Sequence, residues 1–155
     1  MSISLETLKK LSFHPNIIGL KEAGGDIGRT GDILAACGDE LPLFCGSDEM
    51  TVPMLSLGAA GVISVLSNAI PSAVSGITES WINGNIAEAR TLQLRYLPLI
   101  RLLFRQVSPI PIKAVMHLMG LCENELRLPL LPLDAEAEQI LRSELVRLKV
   151  LEETD

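Results

Sequence analysis

The sequence predicts an α/β fold in which parallel strands alternate with helices. Three short apolar segments have the composition of buried strands, and each precedes a loop and a segment with helical character. This strand-then-helix order occurs three times, which is typical of a parallel sheet covered on both faces. After residue 84 the pattern is helical only. We therefore expect one folded unit with an α/β part at residues 1–84 and a helical region at residues 85–155 packed on it.

Capping and helix-breaking residues set the element boundaries in the first half of the chain. Ser4 is a suitable N-cap for the first helix, and Pro71 suits the first turn of the fourth. Gly38 and Gly58 are expected to end the second and third predicted helices. The predicted order is helix 5–12, strand 17–21, helix 29–37, strand 41–45, helix 51–57, strand 61–66 and helix 71–83.

The second half begins with a long helix. Asn85 and Glu88 have the spacing of a capping box at its start, and Pro98 is expected to kink it. A shorter helix follows, and residues 127–133 form an extended segment stiffened by prolines. Asp134 then caps a final helix with one apolar stripe.

Composition limits the possible partners. The 155 residues are 48% hydrophobic, and the formal net charge of −6 comes without a basic cluster. An acidic chain of this kind is not expected to bind nucleic acid or an anionic membrane as its main partner. The mean hydropathy of +0.35 is high for a soluble monomer, so either much of the chain is buried or some apolar surface contacts a partner.

No membrane span or export signal is predicted. Residues 51–78 contain no charged side chain and are long enough to cross a bilayer, but prolines and glycines divide them into short pieces. We interpret them as a buried helix, strand and helix. The first residues lack a basic segment followed by an apolar one, so a cytoplasmic location is expected.

No cofactor, metal site or disulfide framework is predicted. The three cysteines are widely spaced, and the two histidines, His14 and His117, are isolated. The glycines at 24–28 do not have the spacing of a dinucleotide-binding loop. The cysteines are Cys37, Cys45 and Cys122.

Lys21 is the main candidate for a catalytic side chain. It lies at the end of the apolar strand 17–21, where burial would disfavour an ammonium relative to the neutral, nucleophilic amine. Such a lysine could form a Schiff base with a ketone. The alternative is a strand-end lysine whose methylene stem carries its charge to solvent.

Six segments together resemble one enzyme family. The most specific is Gly-Leu-Lys-Glu-Ala-Gly-Gly at residues 19–25. In their order along the chain they resemble the C-terminal half of the dihydrodipicolinate synthases, which are pyruvate-dependent class I aldolases built on a TIM barrel. The resemblance covers nearly the whole chain. The segments are residues 17–25, 45–48, 61–65, 85–90, 109–113 and 126–129.

The resemblance implies roles for individual residues. Lys21 matches the lysine that forms the imine with pyruvate, and the main chain of Ile63 matches a contact with bound pyruvate, although Ile63 could equally serve barrel packing. Gly46 matches a glycine beside the site, and a simple turn glycine would explain it nearly as well. Ser47 replaces an aspartate that is common in the family, and we expect the neighbouring Asp48 to be solvated.

The resemblance also implies a partial (β/α)8 barrel, namely the last three strand–helix units followed by a C-terminal helical annex. A complete barrel has eight strands in about 250 residues. The family's Gly-Thr-Thr-Gly loop, its catalytic tyrosines and its substrate-binding arginine would all precede this chain. We therefore expect little or no synthase activity from the chain alone.

Two classes of function remain open at this point. One is a truncated lyase that uses pyruvate in lysine and diaminopimelate biosynthesis, with N-acetylneuraminate lyases and keto-sugar-acid aldolases as related alternatives. The other is a non-catalytic fragment or assembly subunit. Because three parallel strands leave unpaired edges, we expect self-association or pairing with an N-terminal half.

Overall fold

The computed structural model describes residues 2–153, which contain seven α-helices and three short strands. Three single 3-10 turns lie at Gly38–Glu40, Asp48–Met50 and Leu66–Asn68. In chain order the elements are α1 (Leu5–Ser12), β1 (Leu20–Glu22), α2 (Ile27–Cys37), β2 (Leu43–Cys45), α3 (Thr51–Ser56), β3 (Gly61–Val62), α4 (Pro71–Ile82), α5 (Ile86–Leu103), α6 (Ile110–Leu118) and α7 (Ala135–Arg147).

The three strands form one parallel sheet in the order β1-β2-β3. Lys21 is opposite Phe44, and Phe44 is opposite Gly61. This confirms the predicted parallel sheet. The described residues between its strands form helices α2 and α3, as crossover connections between parallel strands require.

The strands are shorter than the sequence predicted. The amide of Ile17 donates to the His14 carbonyl (2.9 Å) in a turn, so the first paired residue of β1 is Leu20. The predicted strand 61–66 ends at Val62, because the amides of Val65 and Leu66 bind a side-chain carboxylate instead of a neighbouring strand. Apolar composition predicted where these strands lie but not where their pairing stops.

Helix capping agrees with the sequence at two ends and differs at two others. Ser4 Oγ accepts from the Thr7 amide (3.2 Å), and Asp134 Oδ1 accepts from the Ala137 amide (2.8 Å), as predicted. Asp26 caps α2, so this helix starts before residue 29. The capping-box prediction for Asn85 was wrong: it occupies the N-cap, but its side chain makes no capping hydrogen bond. Its ψ of 60° lies outside the extended conformation typical of an N-cap.

Two hydrophobic cores are present. The first lies between the sheet and helices α1, α2 and α3 and includes Leu8, Ile33, Leu43 and Met54. The second lies among α4, α5, α6 and α7. Its buried members are Leu66, Ala69, Ala73, Leu99, Ile100, Leu103, Ile112, Ala114, Val115, Leu141, Leu145 and Leu148. Because α4 packs against α5, the second core includes residues on both sides of position 84, and the division of the chain at that position stays a prediction.

No helix within residues 2–153 combines the length and the apolar composition that crossing a bilayer requires. Residues 51–78 instead run through α3, β3 and a 3-10 turn into α4. The helix, strand and helix expected for this uncharged stretch are therefore confirmed.

Asp48 joins the sheet to the second core. It is 3% exposed, and its Oδ2 accepts from the amides of Val65 (2.9 Å) and Leu66 (3.3 Å). Its own carbonyl accepts from Thr51 Oγ1 (2.9 Å) and from Gln93 Nε2 in α5 (3.0 Å). One buried residue thus connects the end of β2, the segment after β3 and the long helix.

Replacing Asp48 with alanine should destabilise the fold by about 2–4 kcal/mol, because a buried amide and a part-buried amide would lose their acceptor. Urea unfolding followed by circular dichroism measures the effect. The control is Asp39→Ala, an exposed aspartate of a 3-10 turn, which should change the free energy of unfolding by less than about 0.5 kcal/mol. Equal unfolding midpoints for the two variants would contradict this role of Asp48.

Candidate active site

The three predicted site residues lie together at the carboxyl ends of the strands. Lys21 is in β1, Gly46 directly follows β2 and Ile63 directly follows β3. The Gly46 amide donates to the Glu22 carbonyl (2.7 Å), and the Ile63 amide donates to the Cys45 carbonyl (2.8 Å), so both continue the parallel ladder. Side chains alternate between faces along a strand, and this register places all three residues on the same face of the sheet.

Gly46 provides space for the side chain of Lys21. A β-carbon at Gly46 would lie 2.7 Å from Lys21 Cε, 2.9 Å from Lys21 Cγ and 2.8 Å from Ala23 Cβ, all closer than such contacts allow. The lysine stem therefore lies directly against the glycine backbone. This contact explains Gly46 better than a turn requirement does, since the glycines of this chain that have a positive φ lie elsewhere.

Phe44 is a site residue that the sequence reasoning missed. It is opposite Lys21 in the register and half-buried on the same face. Its ring lies close to Gly19 and Gly61, because β-carbons there would be 3.1 Å and 3.6 Å from Phe44 atoms. The two glycines thus make room for an aromatic ring beside the lysine. The pattern that could have revealed it is the pairing of Lys21 with the middle residue of β2.

Lys21 is exposed, which agrees with the alternative of a strand-end lysine that carries its charge to solvent and not with a buried amine. The cause is the open face of the sheet, on which Ile63 is also 47% exposed. The neighbouring carboxylate is already engaged, because Glu22 pairs with Arg29 (3.4 Å) and accepts from the Gly24 amide (2.6 Å). Among residues 2–153, no carboxylate forms an ion pair with Lys21.

Cys45 is opposite Glu22 in the sheet, on the other face from Lys21, and does not serve as a second nucleophile. It is fully buried under the sheet. Burial raises the pKa of the Cys45 thiol, while hydrogen bonds with the Ser47 carbonyl (3.0 Å) and Thr51 act in the opposite direction. A neutral, inaccessible thiol is unreactive, so Cys45 serves the core.

Asp48 was predicted to be solvated, and this was wrong. Its carboxylate is buried and bound by two main-chain amides of the segment after β3. Those bonds fix the backbone that follows Ile63. Asp48 is therefore a supporting residue of the site, which a sequence pattern alone does not reveal because its partners lie 17 and 18 residues away.

Tyr96 and His117, two side chains able to transfer protons, lie in helices and not in the sheet that carries Lys21. The chain has one tyrosine, Tyr96, which lies in α5 against the second core with the Arg95 guanidinium 5.6 Å from its ring centroid. His117 lies in α6, where its Nδ1 contacts the Cys122 carbonyl (3.1 Å). Within residues 2–153, no group of three or more His, Cys, Asp or Glu side chains is arranged to hold a metal ion.

Two surface grooves differ in whether they include the lysine. An open groove passes Lys21 and is also lined by Ile3, Glu22 and Arg29. A more enclosed groove lies between α5, α6 and α7 and contains none of the predicted site residues. The chemistry that the arrangement permits is therefore that of an accessible primary amine at the carboxyl edge of a parallel sheet, where α/β enzymes place their active sites.

Comparison with known proteins agrees with this geometry. The model of the dihydrodipicolinate synthetase family matches residues 1–148. The 4-hydroxy-tetrahydrodipicolinate synthase of Geobacter metallireducens is 43% identical over 130 residues, which are 84% of this chain and 45% of that enzyme. The chain thus spans about half the length of the curated relatives it matches.

Solved structures give the same result. The dihydrodipicolinate synthase of Aquifex aeolicus superimposes with a TM-score of 0.93 at 34% identity over 98% of this chain and 53% of that one. The chloride-inhibited enzyme of Acinetobacter baumannii, solved in complex with pyruvate, superimposes with a TM-score of 0.91 at 34% identity. The match covers 96% of this chain and 51% of that one. On these grounds the chain belongs to the dihydrodipicolinate synthetase family.

Proposed function

We propose that Lys21 is the Schiff-base lysine of a dihydrodipicolinate synthase and that pyruvate is its substrate. The observation that carries this proposal is the contact between the Lys21 stem and the Gly46 backbone at the carboxyl edge of the sheet, in a chain of this family. The Acinetobacter relative binds pyruvate. Ile63 and Gly46 are the proposed neighbours of the bound keto acid.

The proposed reaction is imine formation. The neutral amine of Lys21 attacks C2 of pyruvate, and the resulting carbinolamine loses its oxygen as water to leave a protonated imine. Proton transfers to and from the carbinolamine are the steps that a general acid–base group accelerates, typically by about 10²–10⁴-fold. Since the single tyrosine lies in the second core, this chain forms the imine slowly.

We further propose that the chain is the last three strand–helix units of a (β/α)8 barrel with a C-terminal helical annex. The parallel sheet at residues 20–62 and the helices after it support this assignment. In the full-length family the imine condenses with aspartate semialdehyde for lysine and diaminopimelate biosynthesis. With three strands, the chain alone has little or no synthase activity, and its unpaired edges favour self-association or pairing with an N-terminal half.

A non-catalytic assembly role is the alternative. The exposure of Lys21 favours it, because an amine that faces water lacks the enclosure by which lysine nucleophiles are usually activated. The two roles differ in whether Lys21 reacts with pyruvate.

Incubation with pyruvate and borohydride should add one reduced pyruvate imine to the chain, and Lys21→Ala should abolish the adduct. Intact-mass analysis measures it. The matched control is Lys9→Ala, because Lys9 is another exposed lysine, located in α1, and its loss should leave the adduct unchanged. Absence of any adduct would support the non-catalytic role, and an adduct that persists in Lys21→Ala would overturn the assignment.

Replacing Gly46 with alanine should slow adduct formation by about tenfold or more, because the new methyl group displaces Lys21. The trapping rate at fixed pyruvate measures the effect. Gly31→Ala is the control, since nothing lies within 4 Å of a β-carbon at this helical position and alanine favours a helix. Equal rates in the two variants would show that the Gly46 contact does not position the lysine.

Sedimentation velocity should show that the chain associates in solution. Ile18→Lys should weaken this association, because Ile18 is 85% exposed just before the edge strand β1 and a lysine there opposes strand pairing. The control is Ile82→Lys, which makes the same change at a 72% exposed residue at the end of α4 and should leave the association unchanged. A folded, monodisperse monomer would contradict the association.

A further inference from the structure

We propose that Gln93 is a positioning residue for the candidate active site and that it acts through Asp48. The proposal rests on the function assigned above to Lys21. Gln93 lies in α5, far along the chain from the strands, and it contacts Asp48 in the 3-10 turn after β2 and the first turn of α3. Its role would be to set where the segment after β3 lies relative to the lysine.

The first step is the contact between Gln93 and the loop. Gln93 is 5% exposed, and both ends of its amide are used. Its Nε2 donates to the Asp48 carbonyl (3.0 Å), and its Oε1 accepts from the Val52 amide (3.4 Å). A buried amide that loses such partners is costly, so α5 holds the loop after β2 in one position.

The second step leads from Asp48 to both halves of the site. The Asp48 carboxylate accepts from the Val65 and Leu66 amides and so fixes the backbone that follows Ile63. Two residues earlier, Gly46 supports the Lys21 stem. The short loop 46–48 therefore contacts the lysine at one end and the segment after β3 at the other.

The third step is the consequence for pyruvate. If Gln93 no longer holds the loop, the spacing between the Lys21 amine and the Ile63 backbone becomes variable. The amine itself is unchanged, because Gln93 contacts neither Lys21 nor Gly46 through any described hydrogen bond. The effect should therefore fall on pyruvate binding more than on the trapping rate at saturating pyruvate.

The test uses Gln93→Met, which keeps the side-chain length and removes both hydrogen bonds. Borohydride trapping is measured over a range of pyruvate concentrations, and hydrogen–deuterium exchange is measured across the chain. The half-saturating pyruvate concentration should rise by about tenfold to 100-fold. Exchange should increase at residues 63–66 and stay unchanged in the core helices α6 and α7.

Two further variants complete the design. Gln139→Met makes the same change at an exposed position of α7 and should match the wild type in both measurements. Asp48→Asn retains an oxygen that can accept from Val65 and Leu66, so it should raise the half-saturating concentration less than Asp48→Ala does.

Unchanged pyruvate dependence in Gln93→Met would overturn the proposal, and so would increased exchange spread evenly over the chain. Failure of the underlying function is recognised separately. If the wild type forms no adduct, the assignment of Lys21 fails. Hydrogen exchange tests the positioning role independently, because unchanged exchange at residues 63–66 in Gln93→Met would refute it.

Discussion

The buried carboxylate of Asp48 is the interaction on which the arrangement of this chain depends. A carboxylate that is 3% exposed needs strong partners, and the two amides after β3 provide them. These bonds end β3 after two residues and turn the chain toward α4. The carbonyl of the same residue receives the Gln93 amide from α5. The same residue therefore links the sheet to the helical core through hydrogen bonds.

The site follows from the same region. Parallel pairing brings the ends of β1, β2 and β3 to one edge, and the missing β-carbon of Gly46 lets the lysine stem lie flat on the neighbouring strand. Phe44 fills the space beside it because Gly19 and Gly61 leave room for its ring. The resulting surface is open and carries an exposed amine. Under the proposed function, this openness is the reason why efficient chemistry would need additional strands.

Much of this could be predicted from the sequence, and the exceptions at the candidate site share one cause. Local signals were sufficient for the capping by Ser4 and Asp134 and for the order of elements, because they depend on residues three or four positions apart. The six segments that include the glycine-rich stretch around Lys21 were together sufficient to find the family. The burial of Asp48 and the proximity of Phe44 to Lys21 depend on contacts across strands, which no local pattern encodes. The exposure of Lys21 depends on whether other parts of the fold cover this face of the sheet, and an apolar run in the sequence does not reveal that.

The most direct test of the central claim is complementation of the chain by the N-terminal half of a full-length relative. The two pieces would be produced together, purified as a complex and assayed for condensation of pyruvate with aspartate semialdehyde. If Lys21 is the Schiff-base lysine of a partial barrel, the complex should turn over substrate and the same complex with Lys21→Ala should not. A stable complex that is inactive, or one that remains active without the lysine, would contradict the account.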